Sequence, residues 1–188
     1  MHRMLTAAGL AVLMLAGSLV WADEYSDTVE VFKKAGESAK FFDSSYGYAV
    51  FPSIGKGGLG IGAAHGKGKV YEQGKYVGDT SMTQVSVGLQ AGGQAYSQVI
   101  FFQDKRAFDE FTSGNFEFGA GVSAVAITAG VSGSAGTTGS SAGASGGKND
   151  AGTRGKYYKG MAVFTVAKGG LMYEASLGGQ KYKYKPRS

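Results

Sequence analysis

The chain has 188 residues, with 19 Lys and Arg against 14 Asp and Glu, 33 glycines and no cysteine. The missing cysteine excludes disulfides, thiolate metal sites and acylation as a lipoprotein, so any fold must hold together by core packing. The charge is unevenly spread: residues 23–47 carry six acids and three bases, residues 48–147 six of each, and residues 148–188 two acids and nine bases.

The N-terminus reads as an export signal. Arg3 precedes an apolar run from Leu5 to Val20 that is interrupted by Thr6, Gly9, Gly17 and Ser18 and ends in Val20-Trp21-Ala22, a small-residue cleavage pattern. The run falls short of the roughly 20 apolar residues a spanning helix needs. Residues 1–22 are therefore expected to be a cleaved signal peptide, with the mature chain, periplasmic or secreted, beginning near Asp23. In that compartment the basic C-terminal stretch points to phospholipid headgroups or other phosphate-bearing surfaces, and no nucleic acid partner is expected.

Tyr25, Val29, Phe32, Ala35 and Ala39 recur at three- and four-residue spacing, and Asp23, Glu24, Asp27 and Glu30 lie on the early turns. The pattern predicts an amphipathic helix over residues 24–43. Its early acidic charge favours an apolar stripe laid on a sheet over a helix lying in a membrane interface, where basic polar faces prevail. From Tyr46 onward short β-like runs alternate with glycine: 48–51, 59–64, 69–71 and 76–77, with a turn at Glu72-Gln73-Gly74, then 82–90 and 95–102. A short helix capped by Asp104 carries Phe108 and Phe111 on one face and stops at Gly114. Further strands are expected over 121–131, 160–167, 171–177 and 181–185. Residues 132–153, nearly all Gly, Ser, Ala and Thr, are expected to form a flexible loop.

Gly55-Lys56-Gly57-Gly58-Leu59-Gly60 matches the dinucleotide fingerprint only formally, because Gly62, Gly66 and Gly68 follow where a helix would have to open. Alternating large residues and glycines instead suit closely packed, curved sheet. Catalysis has little to draw on. The only histidine after residue 22, His65, sits in a glycine-rich turn without an orienting partner, and Asp109 and Glu110 point about 100° apart on their helix. No catalytic residue, metal site or cofactor is assigned. The terminal Lys181-Tyr182-Lys183-Tyr184-Lys185-Pro186-Arg187 would, as an edge strand, place three lysines on one face and two tyrosines on the other.

The order of the segments Tyr46-Gly47-Tyr48-Ala49-Val50-Phe51-Pro52, Gly57-Gly58-Leu59-Gly60-Ile61-Gly62, Gly66-Lys67-Gly68-Lys69-Val70-Tyr71 and Gly88-Leu89-Gln90-Ala91-Gly92-Gly93-Gln94 resembles the signature segments of the SYLF domain family, over roughly residues 35–177. The short helix with Ala107 and Phe111 also falls where that family has one. The resemblance implies a lipid-binding module. Its eukaryotic members bind phosphoinositides, partly through an amphipathic helix at the start of the domain, and some bind actin.

The expected fold class is α+β: a mostly antiparallel sheet, curved into a sandwich or partial barrel, with an N-terminal helix and one short inserted helix, all in one domain over 23–188. The expected function is peripheral binding of anionic lipids, without enzymatic activity. Lys181, Lys183, Lys185 and Arg187, with Lys67 and Lys69 from the glycine-rich turns, are expected to engage phosphates while tyrosines sit at headgroup depth. The alternative is a structural module of the cell envelope with a protein partner and no lipid role. An outer-membrane barrel is disfavoured by short strands, the leading helix and the lysine rows.

Overall fold

A computed structural model describes residues 24–119, 122, 124–127, 157–168 and 177–188. The expected signal peptide, the loop 132–153 and nearly all of the strand 171–177 lie outside these residues, and of 121–131 the strand seen is Val125–Ile127.

The leading helix is two helices. α1 spans residues 24–34 and α2 Gly36–Ser44, with Ala35 extended between them at ψ 122°. Gly36 disfavours continuous helix, and the buried Ser38 hydroxyl donates to the Phe32 carbonyl at 2.5 Å, closing the joint with a side chain.

The short β-runs are not separate strands. β1 runs unbroken from Gly47 to Glu72 and β2 from Lys75 to Phe102, and the two pair antiparallel along their whole length. Gln73 (φ 52°) and Gly74 (φ 81°) make the two-residue turn between them. Glycine reads as punctuation in the sequence; in the fold it is strand interior that allows bending. Twenty-six residues would extend roughly 85 Å, yet the Gln73 amide donates to the carbonyl of Tyr46, just before β1, at 3.1 Å. The strand coils back to its own start.

Three interruptions of register allow this. At Pro52, which cannot donate to the ladder, two residues of β1 oppose Ser97, whose hydroxyl donates to the Pro52 carbonyl at 2.7 Å. At Gly57 and Gly58, which face Gly93 and Gly92, the hairpin turns a corner, followed by a large shift between Leu59 and Ile61. A smaller irregularity lies between Val70 and Tyr71. The far half of β1 then crosses the near half so closely that a β-carbon on Gly68 would stand 2.7 Å from the Val50 carbonyl and from the Phe51 ring.

β2 carries β1 on one edge; on the other it pairs antiparallel with β6 (Lys181–Pro186) through residues 78–83 and with β5 (Met161–Lys168) through residues 95–102. β3 (Asn115–Glu117) adds antiparallel to β6, and β4 (Val125–Ile127) adds parallel to β5. The result is α+β, mostly antiparallel, in one open, strongly curved sheet.

Two apolar clusters lie on its two faces. The inner holds Phe51, Ile54, Met82, Ile100, Phe102, Met161 and Tyr182, closed by α3 (Lys105–Phe111) through Ala107, Phe108 and Phe111. The outer packs Phe32 and Phe41 of the helices on Phe101, Phe164 and Val166. The apolar stripe of the leading helices is thus covered by sheet. β5, sandwiched between the clusters, buries every residue but Lys168, whereas β6 alternates.

Inside the curl, Gln98 Nε2 donates to the Tyr182 hydroxyl at 2.7 Å and to Gln180 Oε1 at 3.2 Å, and Gln84 Nε2 donates to the Gly178 carbonyl at 2.9 Å. These buried amides lock β6 in register against β2, since a slip would strand them without partners.

Asp104 caps α3 as expected, accepting from the Ala107 amide at 2.9 Å. Asp104→Ala is expected to cost about 1 kcal/mol, lowering the melting temperature by roughly 2–4 °C in a calorimetric scan.

Candidate functional site

Alternation along β1 and β2 turns even-numbered residues from 62 to 70 and from 78 to 84 inward, and the odd-numbered ones between them mostly outward. On β6, Tyr182 is buried and Tyr184 half-buried, while Lys181, Lys183 and Lys185 are exposed. Register then decides which outward residues meet. Lys69 pairs with Asp79, which pairs with Lys185; Lys67 pairs with Ser81, which pairs with Lys183; His65 pairs with Thr83, which pairs with Lys181. Three rows across three strands place the column Lys69, Lys67 and His65 and the column Lys185, Lys183 and Lys181 on either side of a column of Asp79, Ser81 and Thr83. β3 adds Asn115 beside Lys183 and Glu117 beside Lys181. Main-chain pairing therefore assembles residues that are more than a hundred positions apart in sequence.

All six cations expected from the sequence belong to this surface. Arg187, at the end of β6, lies over the Tyr76 ring at 5.0 Å, and Lys69 lies over Tyr25 at 4.5 Å and Tyr76 at 5.0 Å. Two aromatic faces and two cations thus alternate, an arrangement that holds flexible side chains in place. Lys67 and Lys69 project from within β1, near its C-terminal end, not from turns, and β6 is not a free edge, because β3 covers it from Lys181 to Lys183. The register also brings Lys67, Lys183 and Lys185 together with Tyr25, Asp79 and Ser81 around an open cleft of about 510 Å³. A neighbouring cleft of similar volume is lined by His65, Thr83, Lys181 and Glu117.

Six cations against Asp79 and Glu117 in the rows, and Glu24 beside Tyr25, leave this face net positive. Burial, reinforced by Asp79 and Glu24, pushes the Tyr25 phenol up to about 12. Burial and its hydrogen bond to Asp79 do the same for Tyr76. Both phenols stay neutral at physiological pH; the Tyr76 hydroxyl donates to Asp79, and that of Tyr25 can donate to an anion. Phosphate oxygens are the chemistry this set can hold: ammonium and guanidinium charges, hydroxyls of Ser81 and Thr83, and amphipathic tyrosines at the rim.

Sequence reasoning does not find Asp79, Ser81, Tyr25 and Tyr76. Nothing local marks them; only the pairing of β2 with both lysine-bearing strands does. The remaining candidates are otherwise engaged. Asp109 and Glu110 form exposed ion pairs with Lys105 at 2.7 Å and Arg106 at 3.1 Å, and the fingerprint-like glycines lie within β1 with no helix after them. Among the described residues no helix is long and apolar enough to cross a membrane.

At 26 and 28 residues, β1 and β2 overturn the expectation of short strands and with it the length argument against an outer-membrane barrel. Among the described residues, the stronger argument is that the outer face of β2 and β5 is covered by helices and that the outer face of β1, β2 and β6 carries the charges of Lys67, Lys69, Asp79, Lys181, Lys183 and Lys185, which a lipid-facing band would exclude.

A family model described as "Ysc84: Las17-binding protein actin regulator" matches residues 83–186, from the middle of β2 through β6, including the lysine strand but not Lys67 or Lys69. Beta cell expansion factor A of Aeromonas veronii is 32% identical over 158 residues, 82% of this chain and 51% of that protein, so the chain spans about half the length of this relative. The family model covers more than half of the chain and the relative is 32% identical over 82% of it, so the chain belongs to the Ysc84 family of SYLF-domain proteins.

Proposed function

We propose that the protein is an exported, non-catalytic peripheral protein that binds anionic phospholipid or another phosphate-bearing surface through the outer face of β1, β2 and β6. The observation that carries this reading is the cross-strand register, which gathers Lys67, Lys69, Lys181, Lys183, Lys185 and Arg187 on one solvent-facing surface. Folding gains nothing from crowding like charges; an anionic partner does. The leading helices do not supply the contact, because their apolar stripe is used up against β2 and β5.

Co-sedimentation of the mature protein with vesicles across anionic lipid fraction and salt tests it. Binding should rise with anionic fraction and fall with salt, since exposed charges are screened. Equal binding to neutral vesicles, or none to anionic ones, would overturn it.

The family description names a protein partner, Las17, and so favours a second reading, an envelope module that binds an acidic protein surface. A pull-down that survives lipid depletion would support that reading instead. Export has its own check. Mass spectrometry of protein purified from the envelope should find Asp23, or a residue close to it, at the N-terminus; an intact Met1 would end the export reading.

A further inference from the structure

The outer face of the hairpin changes character just past the cation columns. Continuing along the same outward positions, His65 and Thr83 give way to Ala63 and Val85, which are cross-strand partners, and then to Ile61. Val85 is 70% and Ile61 65% exposed, the two most exposed large apolar side chains among the described residues. Single exposed apolar residues are ordinary, but these two lie on adjacent strands of one face, beside the corner at Gly58.

Spacing identifies what would cover them. Val85 lies two residues beyond Thr83, roughly 7 Å along the strand, and Thr83 is the register partner of Lys181. Half the difference between the full thickness of a bilayer and that of its hydrocarbon core is roughly 5–8 Å. With the Lys181–Thr83–His65 row at phosphate level and the strands running along the bilayer normal, Val85, Ala63 and Ile61 reach the top of the acyl chains, while Lys183 and Lys185 stand roughly 7 and 14 Å farther out, where the surface potential still reaches them at low salt. A second copy of the chain fits less well, because a two-fold contact through this patch would bring the two cation faces close together.

We propose that this end of the hairpin inserts below the headgroups of an anionic bilayer while Lys181 holds the phosphates and the rest of the cation columns is attracted from just outside them. The inference rests on the anionic-surface reading above and adds to it an apolar, salt-insensitive contribution.

The test uses Trp21→Phe combined with Val85→Trp, which leaves one tryptophan in the chain, and vesicles of phosphatidylglycerol and phosphatidylcholine with brominated acyl chains. Emission from position 85 should shift to the blue and be quenched, whereas a reporter at the exposed Gln103 at the far end of β2 should not be quenched. Ile61→Ser with Val85→Ser should lose roughly tenfold in affinity, with the salt dependence of the remaining binding unchanged. Unquenched emission from position 85 together with wild-type-like binding of the double serine variant would overturn the insertion and leave electrostatic binding standing. Absence of any vesicle binding by the wild type would overturn both. A lipid-free dimer abolished by the two serines would assign the patch to self-association and also overturn it.

Discussion

Changing Lys181, Lys183 and Lys185 together to Gln is expected to weaken binding to anionic vesicles about a hundredfold at low salt, the equivalent of up to about 3 kcal/mol at roughly 1 kcal/mol per basic residue. All three side chains are exposed, and β6 is held by main-chain pairing to β2 and β3, by the Tyr182 hydroxyl inside the curl, and by the Thr80 hydroxyl donating to the Lys183 carbonyl at 2.7 Å. None of these contacts needs a lysine side chain. Far-ultraviolet circular dichroism and the melting temperature should therefore stay near wild type while co-sedimentation falls. Lys67→Gln and Lys69→Gln should reduce binding further, because the register places them in the opposing column. Added salt should weaken the wild type and largely spare what remains in the variant. Wild-type-like binding of the triple variant at low salt would remove β6 from the site.

The largest stability effect is expected at the corner. Gly58 has φ +145°, a backbone region L-residues rarely adopt, and a β-carbon there would stand 2.0 Å from the Ile61 carbonyl oxygen and 2.8 Å from the Gly62 α-carbon. Both obstacles are backbone, so no side chain can swing aside. Gly58→Ala should cost about 3 kcal/mol or more from strained φ and steric overlap, lowering the melting temperature by roughly 6–12 °C. Gly55, three residues earlier on the same strand, is the control. Nothing lies within 4 Å of its β-carbon position, so Gly55→Ala should stay within about 0.5 kcal/mol of wild type. Equal melting temperatures for the two variants would mean that the corner does not depend on Gly58. The corner matters for function as well as stability. Where the hairpin bends determines where Ile61 and Val85 emerge.

Much of this protein follows from residues read locally. Period-2 alternation from Lys181 to Tyr184 already separates exposed lysines from the buried Tyr182 and half-buried Tyr184, because successive strand side chains point to opposite faces whatever lies beside them. The Asp104 cap and the Gln73-Gly74 turn are decided within four residues, and the acidic start of the leading helices already speaks for a role against the sheet. Tertiary structure decided what depends on register. Glycines that punctuate a sequence can lie inside a strand when a neighbouring backbone must approach closely, as Val50 and Phe51 approach Gly68, so two strands of 26 and 28 residues look like six short ones. The break at Ala35 depends on a Ser38 bond that periodicity does not register. Above all, the site exists because Asp79, Ser81 and Thr83 lie between Lys67 and Lys69 on one strand and three lysines on another. That juxtaposition is set by the Gln73-Gly74 turn, the irregularity between Val70 and Tyr71, and buried glutamines, and pairing across a hundred residues leaves no trace in local pattern.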